Sequence, residues 1–168
     1  MRRFWVVLLA LAATIGCDRL TKDLAQERLR GQGRRSFLGD TVRLEYVENR
    51  GAFLGLGQEL GEGPRFWVLT VGVAVLLGAL VVRLLKSPRT LTEAAAWALV
   101  VAGGVSNLAD RALRQGRVVD FLNVGLGPLR TGIFNMADLA ITTGALALLV
   151  LLLRARTARR PDTGSGGR

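Results

Sequence analysis

The chain has 168 residues, half of them hydrophobic, with 23 Lys and Arg against 13 Asp and Glu, one Cys and no His. Without histidine there is no His-based triad, no HExxH zinc site and no imidazole general base, and a single cysteine excludes an internal disulfide. The net charge of +10 is spread over the flanks of apolar blocks, with no basic patch interleaved with aromatics, so it points to lipid headgroups and away from nucleic acid.

The apolar residues gather into four blocks, residues 4 to about 25, 66–85, 91 to about 113 and about 132 to 153. A helix that spans the bilayer takes roughly 20 residues at about 1.5 Å each, so each block is long enough. The predicted class is an all-α polytopic membrane protein with four transmembrane helices and a small extracytoplasmic sheet. Residues 1–153 make one membrane-embedded domain, and 154–168 a basic, disordered cytoplasmic tail rich in Arg, Gly, Thr and Ser.

The first block follows Arg2 and Arg3 and contains Cys17. Its start resembles a secretory signal with a lipid-attachment cysteine, but three further spanning blocks favour Cys17 as a small apolar residue of a membrane helix. Asp18 and Lys22, four apart, share one helix face with the acid nearer the start, as an ion pair prefers. They are either an interfacial pair where the helix leaves lipid or an inward-pointing polar pair. In the first connection Val42, Leu44 and Tyr46 alternate with Arg43 and Glu45, which predicts a half-buried strand, and Glu48-Asn49-Arg50-Gly51 reads as a turn. The Asn49 amide suits a turn and equally suits holding an extended peptide or a carboxylate. The glycine-rich run from Gly51 to Gly57 reads as a surface segment or groove lining.

The second block ends at Arg83, Lys86 and Arg89, and the third opens with Thr90 and Glu93 spaced as a capping box after Ser87-Pro88. Gly103 and Gly104 near its far end permit close approach of another backbone or a lipid chain. Asn107 and Arg111 fall on one face, a pair suited to a carboxylate or a lipid phosphate, with Asp110 beside them either as part of that group or as a simple helix end. Asp120 follows the β-branched Val118-Val119, and Asn135 and Asp138 share a face where the last helix starts. Two carboxylates brought together in a partly dry site share a proton, one accepting from water while the other donates to a carbonyl. The basic flanks put both termini in the cytoplasm and the two longer connections, with Asp120 and Asp138, on the outer side.

Five segments in order, Asp18-Arg19-Leu20-Thr21-Lys22, Asn49-Arg50-Gly51-Ala52-Phe53, Gly103-Gly104 through Asn107 and Asp110-Arg111, Val118-Val119-Asp120-Phe121, and Phe134-Asn135-Met136-Ala137-Asp138, resemble those of the lipoprotein signal peptidases, also called signal peptidase II. The resemblance runs from Asp18 to Asp138 and includes the lengths between blocks. It implies an aspartic endopeptidase of the bacterial inner membrane that removes signal peptides from prolipoproteins, cutting just before a cysteine that carries diacylglycerol. It also implies Asp120 and Asp138 as the catalytic pair, with Asp18, Lys22, Asn49, Gly51, Gly104, Asn107, Arg111, Asn135 and Ala137 as supporting or substrate-binding positions. No metal or organic cofactor is expected; the expected partners are diacylglyceryl-modified signal peptides, membrane lipids and the peptide antibiotics that inhibit the family. The chain departs from the family pattern in having Phe53 directly before Leu54, and in one additional residue between Arg111 and Asp120. Three other readings of the same residues are a Ser/Lys hydrolase built on Ser106 and Lys22, a proton or ion translocator with carboxylate relays, and a divalent-cation site made of Asp18, Asp110, Asp120 and Asp138.

Overall fold

A computed structural model describes residues 1–51, 57, 59–86 and 90–158. In chain order it has α1 (Arg2–Leu29), β1 (Arg35–Phe37), β2 (Val42–Asn49), α2 (Glu62–Lys86), α3 (Leu91–Leu113), β3 (Val118–Leu126), β4 (Leu129–Arg130) and α4 (Met136–Ala158). All four helices are long and apolar enough to cross a membrane. Each satisfies its backbone polar groups internally, which the hydrocarbon interior requires. Their outer faces carry exposed apolar side chains such as Phe4, Leu9, Val75, Leu76 and Leu146, as expected where lipid is the solvent.

Helix α3 is the centre of the bundle: it packs most extensively on α4, then on α1 and α2. Small residues make this possible. A Cβ on Gly144 would lie 2.6 Å from the Ala96 carbonyl oxygen, and one on Gly103 would lie 2.4 Å from that of Ala137. Ala94, Ala98 and Ala102 along the same helix are fully buried. Thr90 caps α3 as its sequence predicts, its Oγ1 accepting from the Glu93 amide at 3.1 Å; Ser87-Pro88 before it lie outside the described residues. Helix α2 includes a π-helical stretch at Trp67–Gly72.

The four strands form one antiparallel sheet in the order β1-β2-β3-β4 at one end of the bundle. Between Leu44 and Val47 the register slips: Leu44 pairs with Leu122 but Val47 pairs with Asp120. Three steps on β2 therefore face two on β3, a bulge beside Asp120, and such bulges re-aim neighbouring side chains. Leu29 and Ala25 of α1 pack with Phe121 beneath the sheet. Ser36 and Arg43 hold the Asp40 carboxylate in the β1–β2 turn well below its usual range.

Several boundaries differ from the sequence reading. Strand β2 continues through Asn49, where a turn is predicted from Glu48; only Gly51 turns, with Asn49 Oδ1 accepting its amide at 2.8 Å. The last helix starts at Met136, because Phe134 is drawn into the sheet edge by a bridge to Leu122. At its far end α4 extends to Ala158, so Arg154 and Arg156, assigned from sequence to a disordered tail, are helical; residues 159–168, and the segment Ala52-Phe53-Leu54, lie outside the described residues. The connection with one additional residue turns through Gln115 and Gly116, both at positive φ, and Asp120 stays in register on β3.

Candidate active site

Buried polar side chains among the described residues, Asp18, Lys22, Ser106, Asp110, Asp120, Asn123 and Asn135, collect at the sheet end of the bundle. They form no ladder across the bilayer of the kind a relay translocator needs.

Asp120 lies on β3, buried, with each carboxylate oxygen held by an amide. Asn49 lies opposite Val118, so Asp120, two residues further along, is its diagonal neighbour on the same face. Asn49 Nδ2 donates to Asp120 Oδ2 at 2.9 Å and Asn135 Nδ2 donates to Oδ1 at 2.7 Å. Burial pushes the Asp120 carboxyl up to about 6, opposed by the Asn49 hydrogen bond and reinforced by the charge of Asp138. Asn135 reaches Asp120 because both the Phe121 and Leu122 amides bond the Phe134 carbonyl, which seats the start of α4 against β3.

Asn135 also caps α4. Its Oδ1 accepts from the Asp138 amide at 3.0 Å, while Asp138 Oδ2 accepts from the Asn135 amide at 3.3 Å, the reciprocal arrangement of a capping box. The other Asp138 oxygen accepts from Asn107 Nδ2 at 2.9 Å. Asp120 and Asp138 are thus held on two sides of one residue, Asn135, close enough for the charge of one to act on the other. Carboxylates arranged this way share a proton readily.

A second layer fixes Asn107. Lys22, 1% exposed, donates from Nζ to Asn107 Oδ1 at 2.9 Å and forms ion pairs with Asp18 at 2.7 Å and Asp110 at 3.0 Å. An ammonium only donates, so it holds the carbonyl side of the Asn107 amide and leaves the NH2 facing Asp138. Asp18 in turn accepts from Ser106 Oγ at 2.6 Å and from the Ala137 amide at 2.8 Å. A carboxylate from α1 therefore satisfies a free amide in the first turn of α4. Of the two readings of Asp18 and Lys22, the inward-pointing pair is the one found.

Two supporting positions act on backbone. Arg111, read from sequence as a carboxylate or phosphate ligand, donates to the carbonyls of Gly51 at 2.7 Å and Gly116 at 3.2 Å, tying together the connections that flank the acids. Gly104 sits against α2, where a Cβ would lie 2.4 Å from Leu77 Cδ2, so its contact is helix packing. Ser106 spends its hydroxyl on Asp18, and the Lys22 ammonium lies between two carboxylates; a Ser/Lys pair needs a neutral amine beside the hydroxyl. The four aspartates considered as a cation site separate into two pairs, Asp18 and Asp110 on Lys22, Asp120 and Asp138 about Asn135. Among the described residues no three His, Cys, Asp or Glu side chains form a metal-binding group.

Two residues join the site in roles that the sequence reading left open. Asp110 is buried, pairs with Lys22 and accepts the Val119 amide at 3.2 Å next to Asp120; its partner lies on another helix, beyond the reach of any local pattern. Gly103 seats the first turn of α4 against α3.

Fold and site together define a polytopic membrane protein with a buried carboxylate pair where its helices meet a small sheet. A family model described as signal peptidase (SPase) II matches residues 10–154. The chain belongs to the signal peptidase II family. Curated lipoprotein signal peptidases from Rhodococcus jostii and Chlorobium phaeovibrioides are each 36% identical to it; the first alignment covers 90% of this chain and 74% of the relative, the second 99% and 98%. A solved structure titled as a bacterial membrane enzyme superposes with a TM-score of 0.78 over 95% of this chain and 94% of its own at 23% identity, which shows the shared fold. A second one gives 0.72 over 88% and 92% at 26% identity.

Proposed function

We propose that the chain is an aspartic endopeptidase that removes signal peptides from bacterial prolipoproteins, cutting just before a cysteine modified with diacylglycerol. The observation that carries this reading is the Asn135-centred arrangement of Asp120 and Asp138 at the membrane boundary, supported by the family membership. The pair holds one proton. The ionised aspartate takes a proton from water as its oxygen attacks the scissile carbonyl carbon, and the protonated one donates to the carbonyl oxygen. As the tetrahedral intermediate collapses, the C–N bond breaks, one hydroxyl proton returns to the pair and the leaving amine takes one from it, so the pair again holds a single proton. Asn49 and Asn107 keep the two carboxylates oriented through the cycle. No covalent intermediate forms and no metal takes part.

In this reading both termini are cytoplasmic, residues 1–153 act as one membrane-embedded unit, and the basic residues after it lie near anionic headgroups. The acids face the outer side of the inner membrane, so the signal helix enters laterally while its diacylglyceryl chains remain in lipid. The family's peptide antibiotics occupy the same site. The test is incubation of the purified chain with one prolipoprotein in two forms, with and without diacylglycerol on the cysteine. Cleavage of the modified form alone, directly before that cysteine, is expected; cleavage of both forms equally, or of neither, overturns the substrate assignment.

A further inference from the structure

A cavity of about 300 Å³ opens at the sheet end of α2; neither Asp120 nor Asp138 lines it, and Arg111, which feels the charge of both, stands between it and the acid pair. It is lined by Arg50, Arg65, Arg111 and Arg117, by a single acid, Glu62, and by Phe66 and Leu69 of α2; Glu48, behind Arg117, pairs with that one guanidinium. We propose that this cavity holds the phosphate headgroup of an anionic phospholipid whose acyl chains run down the outer face of α2.

Three observations lead there. First, planar guanidinium forks match phosphate oxygens in pairs, and two of the four are oriented from behind. Arg111 is anchored on the Gly51 and Gly116 carbonyls, and Arg117 donates to Glu48 at 2.7 Å, so both heads are held at the rim with little conformational entropy left to lose. Second, the apolar lining belongs to a membrane-spanning helix. Phe66 and Trp67, stacked edge to face at 5.9 Å, are exposed at its beginning, where aromatic residues mark the boundary between headgroups and hydrocarbon. Third, α2 offers apolar surface beyond its first turn: Val68, Val75 and Leu76 are exposed, and acyl chains can pack on them. A cationic cup at the end of a helix with an exposed apolar surface fits a molecule with a phosphate at one end and hydrocarbon at the other; a free anion would use only the cup.

The test is native mass spectrometry of the full chain released from mild detergent, titrated with dioleoylphosphatidylglycerol, with dioleoylphosphatidylcholine and with inorganic phosphate. The wild type is expected to retain one phosphatidylglycerol about tenfold more tightly than phosphatidylcholine, and Arg65→Gln/Arg117→Gln to abolish that preference. Arg154→Gln/Arg156→Gln, at the opposite end of the bundle, should keep it. The variant Arg65→Lys/Arg117→Lys retains the charge without the forks and should lose roughly threefold, which keeps the test open if the Gln pair fails to fold. Equal affinity for the two lipids, a preference that survives in the Gln pair or is unchanged in the Lys pair, or binding of inorganic phosphate without lipid preference overturns the proposal. Binding is read without turnover, so the outcome is independent of the peptidase reading.

Discussion

Lys22→Met tests whether the buried charge network holds the site together. In the wild type the ammonium is 1% exposed, Asp18 is fully buried and the Asp110 side chain is 3% exposed, with N–O distances of 2.7 and 3.0 Å. Methionine fills nearly the same volume but leaves the buried Asp18 carboxylate without its counter-charge and takes from Asp110 the nearest of three cations, Arg114 at 3.5 Å and Arg19 at 3.6 Å remaining. Breaking a buried pair from one side costs about 3–5 kcal/mol, because an uncompensated charge remains in a poor dielectric. The Asn107 carbonyl also loses the shorter of its two donors, keeping Asn135 Nδ2 at 3.1 Å, which adds on the order of 1 kcal/mol and loosens the amide that faces Asp138. The triple variant Asp18→Asn/Lys22→Met/Asp110→Asn leaves no unpaired buried carboxylate, while the side-chain carbonyl it places at position 18 can still accept from Ala137 or Ser106. It should recover most of the stability, though not the orientation of Asn107. Chemical unfolding in detergent, followed by far-UV circular dichroism, measures both. A Lys22→Met cost below about 1 kcal/mol, or a triple variant no more stable than the single one, would refute the reasoning.

Two further outcomes follow from the packing and the titration of the site. Gly103→Ala would place a Cβ 2.4 Å from the Ala137 carbonyl oxygen and 2.8 Å from Ile141 Cγ1, so it should destabilise by about 1–3 kcal/mol and displace the turn that carries Asp138; Gly16→Ala, with nothing within 4 Å, should be neutral or slightly stabilising in the same thermal scan. The folded-state pKa of Asp120 is raised from 3.8 to about 6, so the native chain binds this proton more tightly than the unfolded chain does. Its contribution to stability is therefore lost as pH rises from about 4 to about 6. Asp120→Asn should flatten that part of the stability curve, as unfolding midpoints across pH will show.

The spans were legible because a hydrocarbon solvent imposes a length and a composition that any reader of the chain can measure. The acids were legible because a carboxylate at the edge of an apolar block is costly, and the capping relation of Asn135 to Asp138 lies in their three-residue spacing. What the residues could not reveal was non-local. Asp18 serves α4 by accepting the Ala137 amide, a contact across 119 positions, and Asp110 is committed to Lys22 from another helix. The strand end at Asn49 was hidden for a related reason: Asn and Gly announce a turn, but pairing of Asn49 with Val118 carries the strand past the point where local preference would stop it. Arg111 was read by the chemistry of its side chain, and its use on two carbonyls depends on where the chain returns.

The central claim is that Asp120 and Asp138 together perform a metal-free hydrolysis. Its most direct measurement is the single-turnover rate of cleavage of a diacylglyceryl-modified prolipoprotein by wild type, Asp120→Asn and Asp138→Asn in detergent, each with and without chelator. Asparagine fits either position without loss of volume, so folding can be checked alongside. Each variant should lose at least about 10³-fold while chelator leaves the wild type unchanged. A variant that keeps wild-type cleavage, or a wild type silenced by chelator, would contradict the account.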